Sequence, residues 1–593
     1  MTCLLVIFIA LLNVTPLRAE ELKNRFIFRS YYHSENPLDY SNLYFMYRFS
    51  LQPAERVRAG LTLVKGCGES GCYPLGYVTG SGGGLYESGS YYLEISEVLG
   101  IKRIILGNYI PYFGQGLLFG ASYPLIMYNP YYDLAGIRDR IRPSYAASKA
   151  VLLEGVAAEA SFGNVTIRPF LSWNRYDCSA GESDYYRYND NDYDGIPNDE
   201  DEDDFSGYDD SFPPGYSCKS PLCSCIRDNP DYGEDSDREK RNKLAEYLGG
   251  VNLSVAGDRA LVGATAYVSG FNRLIDPYYN FDPGEGDKTA HLFRGKSYLA
   301  SSVYWKIYEP FEIFGEVAAT LYRRLSYYPE FNGGFVTSMA LSGGIRERVG
   351  RTGLILWGAY IPATFVNPHG LEYPDGLNNV AAGLAGLYHS EGDRRFIHWI
   401  YGFSELYSKD GPLLKERGGS YNHRIELPLG MGVLKLRQNF LLVDHHYYEP
   451  EALSLRVASK LSFLRRGGRG IDVQGVLENR LGGPIDTVQP IHVGTGISGE
   501  VIVRRERHGA SALLIFYVTD DNRYAYLYPY ERQLYDWSFN ARPLYGRGIA
   551  GSVQFFLVFR SRYVVAMKLR YQYDFSRSAG RGASIFLNSQ IPF

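Results

Sequence analysis

Apolar and polar residues alternate along most of this chain, and the alternation is longest near its C-terminal end. Between Ile549 and Phe559 the odd positions read Ile549, Gly551, Val553, Phe555, Leu557 and Phe559, with Ser552 and Gln554 between them. From Tyr563 to Phe575 the odd positions are all apolar or aromatic, and the even ones include Lys568, Arg570, Gln572 and Asp574. A period of two sustained this far predicts strands longer than the usual 5 or 6 residues of globular proteins. About 9–11 tilted residues let a β-strand cross a bilayer, apolar side chains facing lipid and polar ones facing the lumen. Shorter alternating runs appear from Arg25 onward, separated by Gly-, Ser- and Pro-rich turns such as Gly80-Ser81-Gly82-Gly83-Gly84. Clear strands recur later at Val251–Ala256, Ser297–Tyr308, Phe311–Tyr322, Phe335–Arg346, Val380–Tyr388, Leu453–Phe463 and Ser511–Thr519. The pattern predicts an all-β fold, a transmembrane antiparallel β-barrel of about 24 strands over residues 20–593.

The last strand puts Ile585, Leu587, Ile591 and the terminal Phe593 in one phase. This resembles the C-terminal strand signal of bacterial outer-membrane barrels. It implies a place in the outer membrane, with its lipid and the barrel-assembly machinery as partners. Residues 1–19 fit that destination. An apolar run from Leu4 to Leu12 leads to Pro16-Leu17-Arg18-Ala19 and then Glu20-Glu21, the layout of a secretory signal peptide cut after Ala19. No basic residue precedes the run, which is short for a spanning helix.

Composition sharpens the picture in two places. Tyr occurs 53 times and aromatics make up 15% of the chain, as the aromatic girdles of membrane barrels require. Net charge is only −4, yet Asp177–Asp210 holds 14 acidic residues against one Arg, so the remainder is mildly basic. Residues 176–245 are therefore expected to form an extracellular loop inserted between barrel strands, too polar to pack a core. Within it, Asp190-Asn191-Asp192-Tyr193-Asp194-Gly195-Ile196-Pro197-Asn198-Asp199-Glu200-Asp201 has the oxygen spacing of a calcium loop. Asp190, Asp192 and Asp194 supply carboxylates, Gly195 allows the turn, Ile196 offers its carbonyl, and Asn198 and Asp201 complete the set for Ca²⁺. Asp at the closing position makes bidentate closure weaker than Glu would, and a solvated acidic loop is the competing reading. Six cysteines remain beyond the signal: Cys67, Cys72, Cys178, Cys218, Cys223 and Cys225. In an exported chain an even number favours disulfides, with the pairing open and Cys67–Cys72 the simplest local pair.

The rhythm breaks after Ile104-Ile105-Leu106. The stretch Gly107-Asn108-Tyr109 through Phe113-Gly114-Gln115-Gly116-Leu117 resembles the "GDY…FGQGL" signature of a large family of bacterial outer-membrane barrels. In that family a ComEA-type helix-hairpin-helix region often precedes the barrel. Here Asn108 stands where the family has Asp, and few residues separate Ala19 from the first strand. No helix-hairpin-helix region is expected, and no nucleic-acid partner carries over. The resemblance spans roughly residues 24–162 and implies architecture more than activity.

Irregular backbone at membrane depth survives only when buried in protein or lining a cavity, so residues 107–147 are expected to fill part of the lumen. In Leu453–Phe463 and Tyr563–Phe575 the inward phase holds Arg456, Lys460, Arg562, Lys568 and Arg570, which predicts a basic pore lining. No Gly-x-Ser-x-Gly elbow, Walker loop or metal-spaced histidine set is present, and no enzymatic activity is expected. Two classes compete: a channel or transporter for small solutes, and a surface or assembly protein whose extracellular loops bind a partner. A TonB-dependent transporter is disfavoured because no plug-sized domain precedes the first strand.

Overall fold

In the computed structural model, residues 25–34, 43–65, 88–98, 100–120, 139–146, 152–182, 221–227, 243–275, 293, 295–323, 335–362, 364–366, 368–370, 380–405, 416–429, 432–445, 453–467, 470–484, 491–505, 507–520, 525–527, 544–559, 563–575 and 581–592 are described. The first strands are β1 (Arg25–Ser34), β2 (Leu43–Ala54), β3 (Val57–Lys65), β4 (Ser88–Val98), β5 (Ile101–Tyr112), β6 (Arg140–Pro143), β7 (Leu153–Phe162), β8 (Val165–Glu182) and β9 (Pro221–Arg227). There follow β10 (Leu244–Ala256), β11 (Ala260–Ile275), β12 (Gly295–Ile307), β13 (Glu312–Arg323), β14 (Phe335–Val349), β15 (Thr352–Ile361), β16 (Val380–Glu391), β17 (Arg394–Glu405) and β18 (Glu416–Leu429). The last are β19 (Gly432–His445), β20 (Leu453–Arg466), β21 (Ile471–Pro484), β22 (His492–Arg504), β23 (His508–Thr519), β24 (Arg547–Phe559), β25 (Tyr563–Asp574) and β26 (Arg581–Pro592).

Each wall strand pairs antiparallel with its neighbours, and β1 closes the ring on β26, from Arg25↔Pro592 to Ser34↔Ala583. Of the 26 strands, all but β6 and β9 belong to this ring, which leaves 24. Closure matters because an open edge in hydrocarbon would strand a row of N–H and C=O groups. The side-chain phase divides the wall into two faces. On β10, Val251, Leu253 and Val255 are exposed and Asn252 and Ser254 between them are buried. On β12, Leu299 and Val303 are exposed and Tyr298, Ala300, Ser302 and Tyr304 are buried. Exposed aliphatics on one face and polar or aromatic groups on the other are what a lipid-facing exterior and a protein-filled interior require.

Loop lengths orient the barrel. Connections such as Val349 to Thr352, Glu391 to Arg394 and Leu429 to Gly432 all lie at one rim, where β1 also begins and β26 ends. Short turns mark the periplasmic side and long loops the outside. The connection from Glu182 to Leu244 leaves from the opposite, outer rim. Its boundary corrects the expectation that strand ends near residue 176. β8 runs on to Glu182, past its last pair with β10 at Tyr176↔Leu244, and there pairs with β9. Beyond the bilayer a projecting strand finds a partner within its own loop.

The second correction concerns residues 107–147. Gly107 does not end a strand but lies inside β5, which pairs with β4 from Val98↔Ile101 to Tyr92↔Gly107 and with β7 as far as Tyr109↔Leu153. From Tyr109 to Tyr112 the partner becomes β6. Gly107 has φ 97, and a Cβ there would stand 2.4 Å from the Tyr91 carbonyl oxygen. The strand thus turns out of the wall at the residue that tolerates the turn.

Candidate functional site

Where β5 leaves the wall, its neighbours would lose backbone partners at membrane depth. Asn108 replaces one of them on the β4 side, and Asn174 of β8 continues the β7–β8 ladder past Gly155. Tyr91 N donates to Asn108 Oδ1 at 2.7 Å and Glu154 N to Asn174 Oδ1 at 2.8 Å. Tyr91 Oη, donating to Glu154 Oε1 at 2.8 Å, spans the gap between β4 and β7.

Beyond β5 the chain lies against the inward face of the adjoining wall, β8 to β13. Phe113, Leu117, Leu118 and Phe119 are all buried. Phe119 packs on Phe170, Tyr267 and His369, with ring centroids 5.3, 4.8 and 5.9 Å away. At the turn, Gly114 (φ 60) and Gly116 (φ 93) take left-handed conformations. These aim two alternate donors at one acceptor. Gln115 N and Leu117 N donate to Glu316 Oε2 at 2.7 and 3.0 Å. Glu316 is fully buried on β13, opposite Tyr304 and Ser342. A Cβ on Gly114 would lie 2.6 Å from Glu316 Oε2, so the approach itself demands glycine. Two N–H groups converging on a carboxylate make a small anion nest, here filled by the protein's own side chain.

The returning strand is tied to the same wall. Asp139 accepts from Arg168 Nη1 at 2.9 Å and from Tyr304 Oη at 2.6 Å. Arg168 also reaches Glu159, Asn252 and Ser254. The carbonyls of Tyr145 and Ala146 accept from Thr62 Oγ1 and Ser90 Oγ at 2.5 and 2.6 Å. A second inward segment, from the β15–β16 connection, meets the first: Gly120 N donates to the His369 carbonyl at 3.1 Å. His369 Nε2 stands 2.9 Å from Glu246 Oε1, which also accepts from Ser269 at 2.6 Å. Ser269 and His369 both address Glu246, and the trio fastens the inserted segment to the wall. Residues of the β23–β24 connection form a third inward contact, with Leu527 and Leu544 buried against Leu513, Ile515 and Tyr517.

The other side of the wall is charged. On β20, Leu455, Leu461 and Phe463 are exposed outward, which leaves Arg456 and Lys460 inward. On β25, Val565, Leu569 and Tyr571 are exposed and Lys568 and Arg570 are buried on the opposite face, with Asp574 in the same phase. Arg562 lies outside the described residues. Sequence reading missed Arg424 and Glu426 on β18, Lys435 and Arg437 on β19, and Glu478 and Arg480 on β21, which share this face. Lys435 and Arg424 meet Glu426 at 3.1 and 2.6 Å, and Lys460 and Arg480 meet Glu478 at 3.1 and 3.3 Å.

Of the signature residues, Gly114, Gln115, Gly116 and Leu117 form the turn at Glu316, Phe113 packs on Phe119 and Phe170, and Gly107 stays in the wall between Tyr92 and Gly155. The calcium-loop residues Asp190, Asp192, Asp194, Ile196, Asn198 and Asp201 lie outside the described residues, as do Cys67, Cys72 and Cys218. Cys178 is on β8, and Cys223 and Cys225 are on β9, where Ser179 pairs with Cys225 and Ala180 with Cys223.

A closed ring of 24 strands with an apolar exterior has one environment that satisfies it. The chain is a membrane-spanning β-barrel. No family model matches it, and no curated protein does. Among solved structures it is similar to the P pilus usher PapC translocation pore, at 7% identity and a TM-score of 0.37, over 96% of this chain and 99% of that one. The siderophore receptor PirA from Pseudomonas aeruginosa gives 8% and 0.42, over 98% and 81%. The copper transporter OprC gives 8% and 0.41, over 98% and 82%. At this level of identity and superposition the likeness carries no residue-level correspondence.

Proposed function

We propose that this barrel is a channel or transporter for small solutes whose lumen is partly occluded by residues 113–120 and 139–146 of the expected 107–147 segment. The observation that carries the reading is the contrast between the two sides of the inner wall. Around β8–β13 the inward face is aromatic, its buried charges Arg168, Glu246 and Glu316 are engaged by partners, and Phe113–Gly120 covers it, held by Glu316. Around β18–β21 the inward face is charged, with Lys435 and Lys460 side chains 35% and 25% exposed. Half-exposed charges within a barrel imply water beside them, since a dry site would impose a desolvation cost of several kcal/mol on each. A water-filled path beside a docked segment is the anatomy of a restricted pore.

In planar bilayers the wild type should conduct weakly, and deleting residues 120–147 should raise the conductance. Unchanged conductance after the deletion would refute the occlusion, and no conductance from either form would refute transport. The second reading, a surface protein whose loops bind a partner, is favoured by the β8–β9 hairpin projecting past the wall. On that reading the acidic stretch within the connection is a Ca²⁺ site, stapled by disulfides among Cys178, Cys218, Cys223 and Cys225. Under either reading the barrel-assembly machinery inserts the chain. Membership of the family with the Phe-Gly-Gln-Gly-Leu signature is part of the same proposal, supported by the use to which those residues are put.

A further inference from the structure

On the outward face of β17–β22 a polar row crosses a wall that is apolar on either side of it. The register pairs His398 with His423, His423 with Gln438, Gln438 with Ser459, Ser459 with Asn479 and Asn479 with Thr495. They share the strand phase of Ile400, Tyr421, Phe440, Leu461, Leu477 and Ile497, all exposed on the lipid side. The row is one residue wide. The next outward row toward the outer rim reads Ile400, Tyr421, Phe440, Val457, Leu481 and Val493. The next row toward the short turns reads Phe396, Ile425, Leu436, Leu461, Leu477 and Ile497. On β10–β14 a comparable row, Val251, Ala266, Ser301, Ala319 and Met339, is polar only at Ser301.

Register rows run perpendicular to the strands, and strands of a membrane barrel tilt by about 40°, so the polar row climbs through the bilayer. His398 is four residues from Arg394, at the rim of short turns. Thr495 is nine residues from Arg504 at that rim, which at about 3.4 Å each and about 40° of tilt is about 23 Å, against an apolar band of about 25 Å. Below His398 the row continues through its diagonal neighbour His389, whose Nδ1 stands 3.0 Å from Thr352 Oγ1. Thr352 opens β15 at the rim of short turns. At the lower end the groups touch: Tyr421 Oη lies 3.3 and 3.4 Å from Nδ1 of His398 and His423, whose ring centroids are 4.3 Å apart. A polar path therefore leads from one rim of the lipid-facing surface almost to the other.

Imidazoles and amides are costly in hydrocarbon, and polar groups at such depth mark paths for polar cargo. A second copy related by a twofold axis along the membrane normal would lay its row across this one rather than along it, so only the crossing positions would meet. A row one side chain wide between apolar rows instead fits an amphiphile, its headgroup on the row and its chains on the flanks. Imidazole, amide and hydroxyl groups donate to phosphate oxygens, and amide and hydroxyl oxygens accept from an ammonium. Gln438, Ser459, Asn479 and Thr495 carry no charge that would hold a zwitterion in place.

We propose that this row is a track along which phospholipid headgroups cross between the two leaflets, so that the barrel scrambles lipid along its outer surface. The track lies outside the ring and does not depend on the lumen. The test uses the full-length protein in phosphatidylcholine vesicles carrying a trace of short-chain fluorescent phospholipid. Albumin added outside extracts the label from the outer leaflet and is too large to pass a restricted pore. Protein-free vesicles keep their inner-leaflet label, whereas vesicles with the wild type should surrender it. The double substitution Gln438→Leu and Asn479→Leu matches the flanking rows and should keep the unheated gel mobility. It should slow extraction of the inner pool about tenfold or more, as the loss of one hydrogen bond to a charged group implies. His423→Leu repeats the test at a third position should the double variant not fold. Ser301→Leu should behave as wild type. An inner pool retained by folded wild type, or lost as fast from the folded row variants, overturns the proposal. A retained pool together with a dimer that the double variant does not form would assign the row to a contact between copies instead. Deleting residues 120–147 should leave extraction unchanged; faster extraction would move the lipid path into the lumen and overturn the track. Absence of ion conductance would end the transport reading and leave this one standing.

Discussion

The nest around Glu316 can be tested by adding a single methyl group. Gly114→Ala forces a side chain into a left-handed conformation at φ 60, where an L-residue costs about 1–2 kcal/mol. The new Cβ would fall 2.6 Å from Glu316 Oε2 and 3.0 Å from Tyr304 Cβ, so the carboxylate or the turn must move. Either motion breaks Gln115 N–H or Leu117 N–H from Oε2, and a hydrogen bond to a charged group contributes about 1.5–3 kcal/mol. The docked segment then loses about 4 kcal/mol if one bond goes and about 6 if both go. At 1.4 kcal/mol per decade, even the lower figure shifts the docked-to-undocked ratio roughly a thousandfold. The ring itself contains neither bond, so the unheated gel mobility of the folded barrel should persist. Single-channel conductance should rise, and protease should cut near residues 113–120. Gly100→Ala is the control: it has φ 82 but nothing within 4 Å of its Cβ, so it incurs the backbone cost without the collision. Glu316→Gln keeps the space and removes the charge, and should fall between the two. If Gly114→Ala conducts like wild type and like Gly100→Ala, the Glu316 contact does not hold the segment and the reasoning fails.

Four further outcomes follow from named contacts. Arg168→Met leaves Asp139 and Glu159 buried without their shared partner and should destabilise the barrel by about 3 kcal/mol, seen as an earlier thermal gel-mobility shift. Val303→Arg places a charge on the lipid face and should cost about 2–4 kcal/mol in folding titrations into vesicles; a neutral result would reverse the assigned phase. Asn108→Leu removes the acceptor for Tyr91 N–H and should cost about 1–3 kcal/mol, whereas Asn108→Asp should be tolerated because a carboxylate accepts the same bond. Calorimetry on the full-length protein should show Ca²⁺ binding at millimolar strength or tighter, lost when Asp190 and Asp192 become Ala. Equal binding by that variant would return the stretch to a solvated acidic loop.

What could be read in advance follows from the range over which each feature is determined. The wall was legible because its signal is local: the phase of Val565, Lys568, Leu569 and Arg570 is set by lipid on one side and lumen on the other. The inserted segments were legible only as breaks in that phase. Their docking depends on residues outside the segment, as far as 199 positions away for Leu117 N and Glu316, and no spacing within 107–147 encodes it. The segments around His369 and Leu527 left no comparable mark, because each lies in a connection that reads as an ordinary outer loop. The register between β18 and β19, though missed in the reading, did leave one. With only Gly430 and Met431 between the strands, the register follows from the hairpin geometry, and pairing Leu429 with Gly432 brings Arg424 against Arg437.

The wall and its insertion are also mutually dependent, which explains why one short stretch carries so much of the resemblance. A strand that bends inward at Gly107 leaves unpaired donors in hydrocarbon unless side chains replace the missing ladder. Asn108, the next residue, does this for Tyr91. The departing chain must then satisfy its own tight turn, and Gly114 and Gly116 direct two N–H groups onto Glu316. Gly107, Asn108, Gly114 and Gly116 therefore serve one geometric event, the exit of a strand from a membrane wall and its capture within the lumen. Replacing the bend without the cap, or the cap without the nest, would leave buried polar groups unsatisfied, so these positions form a set.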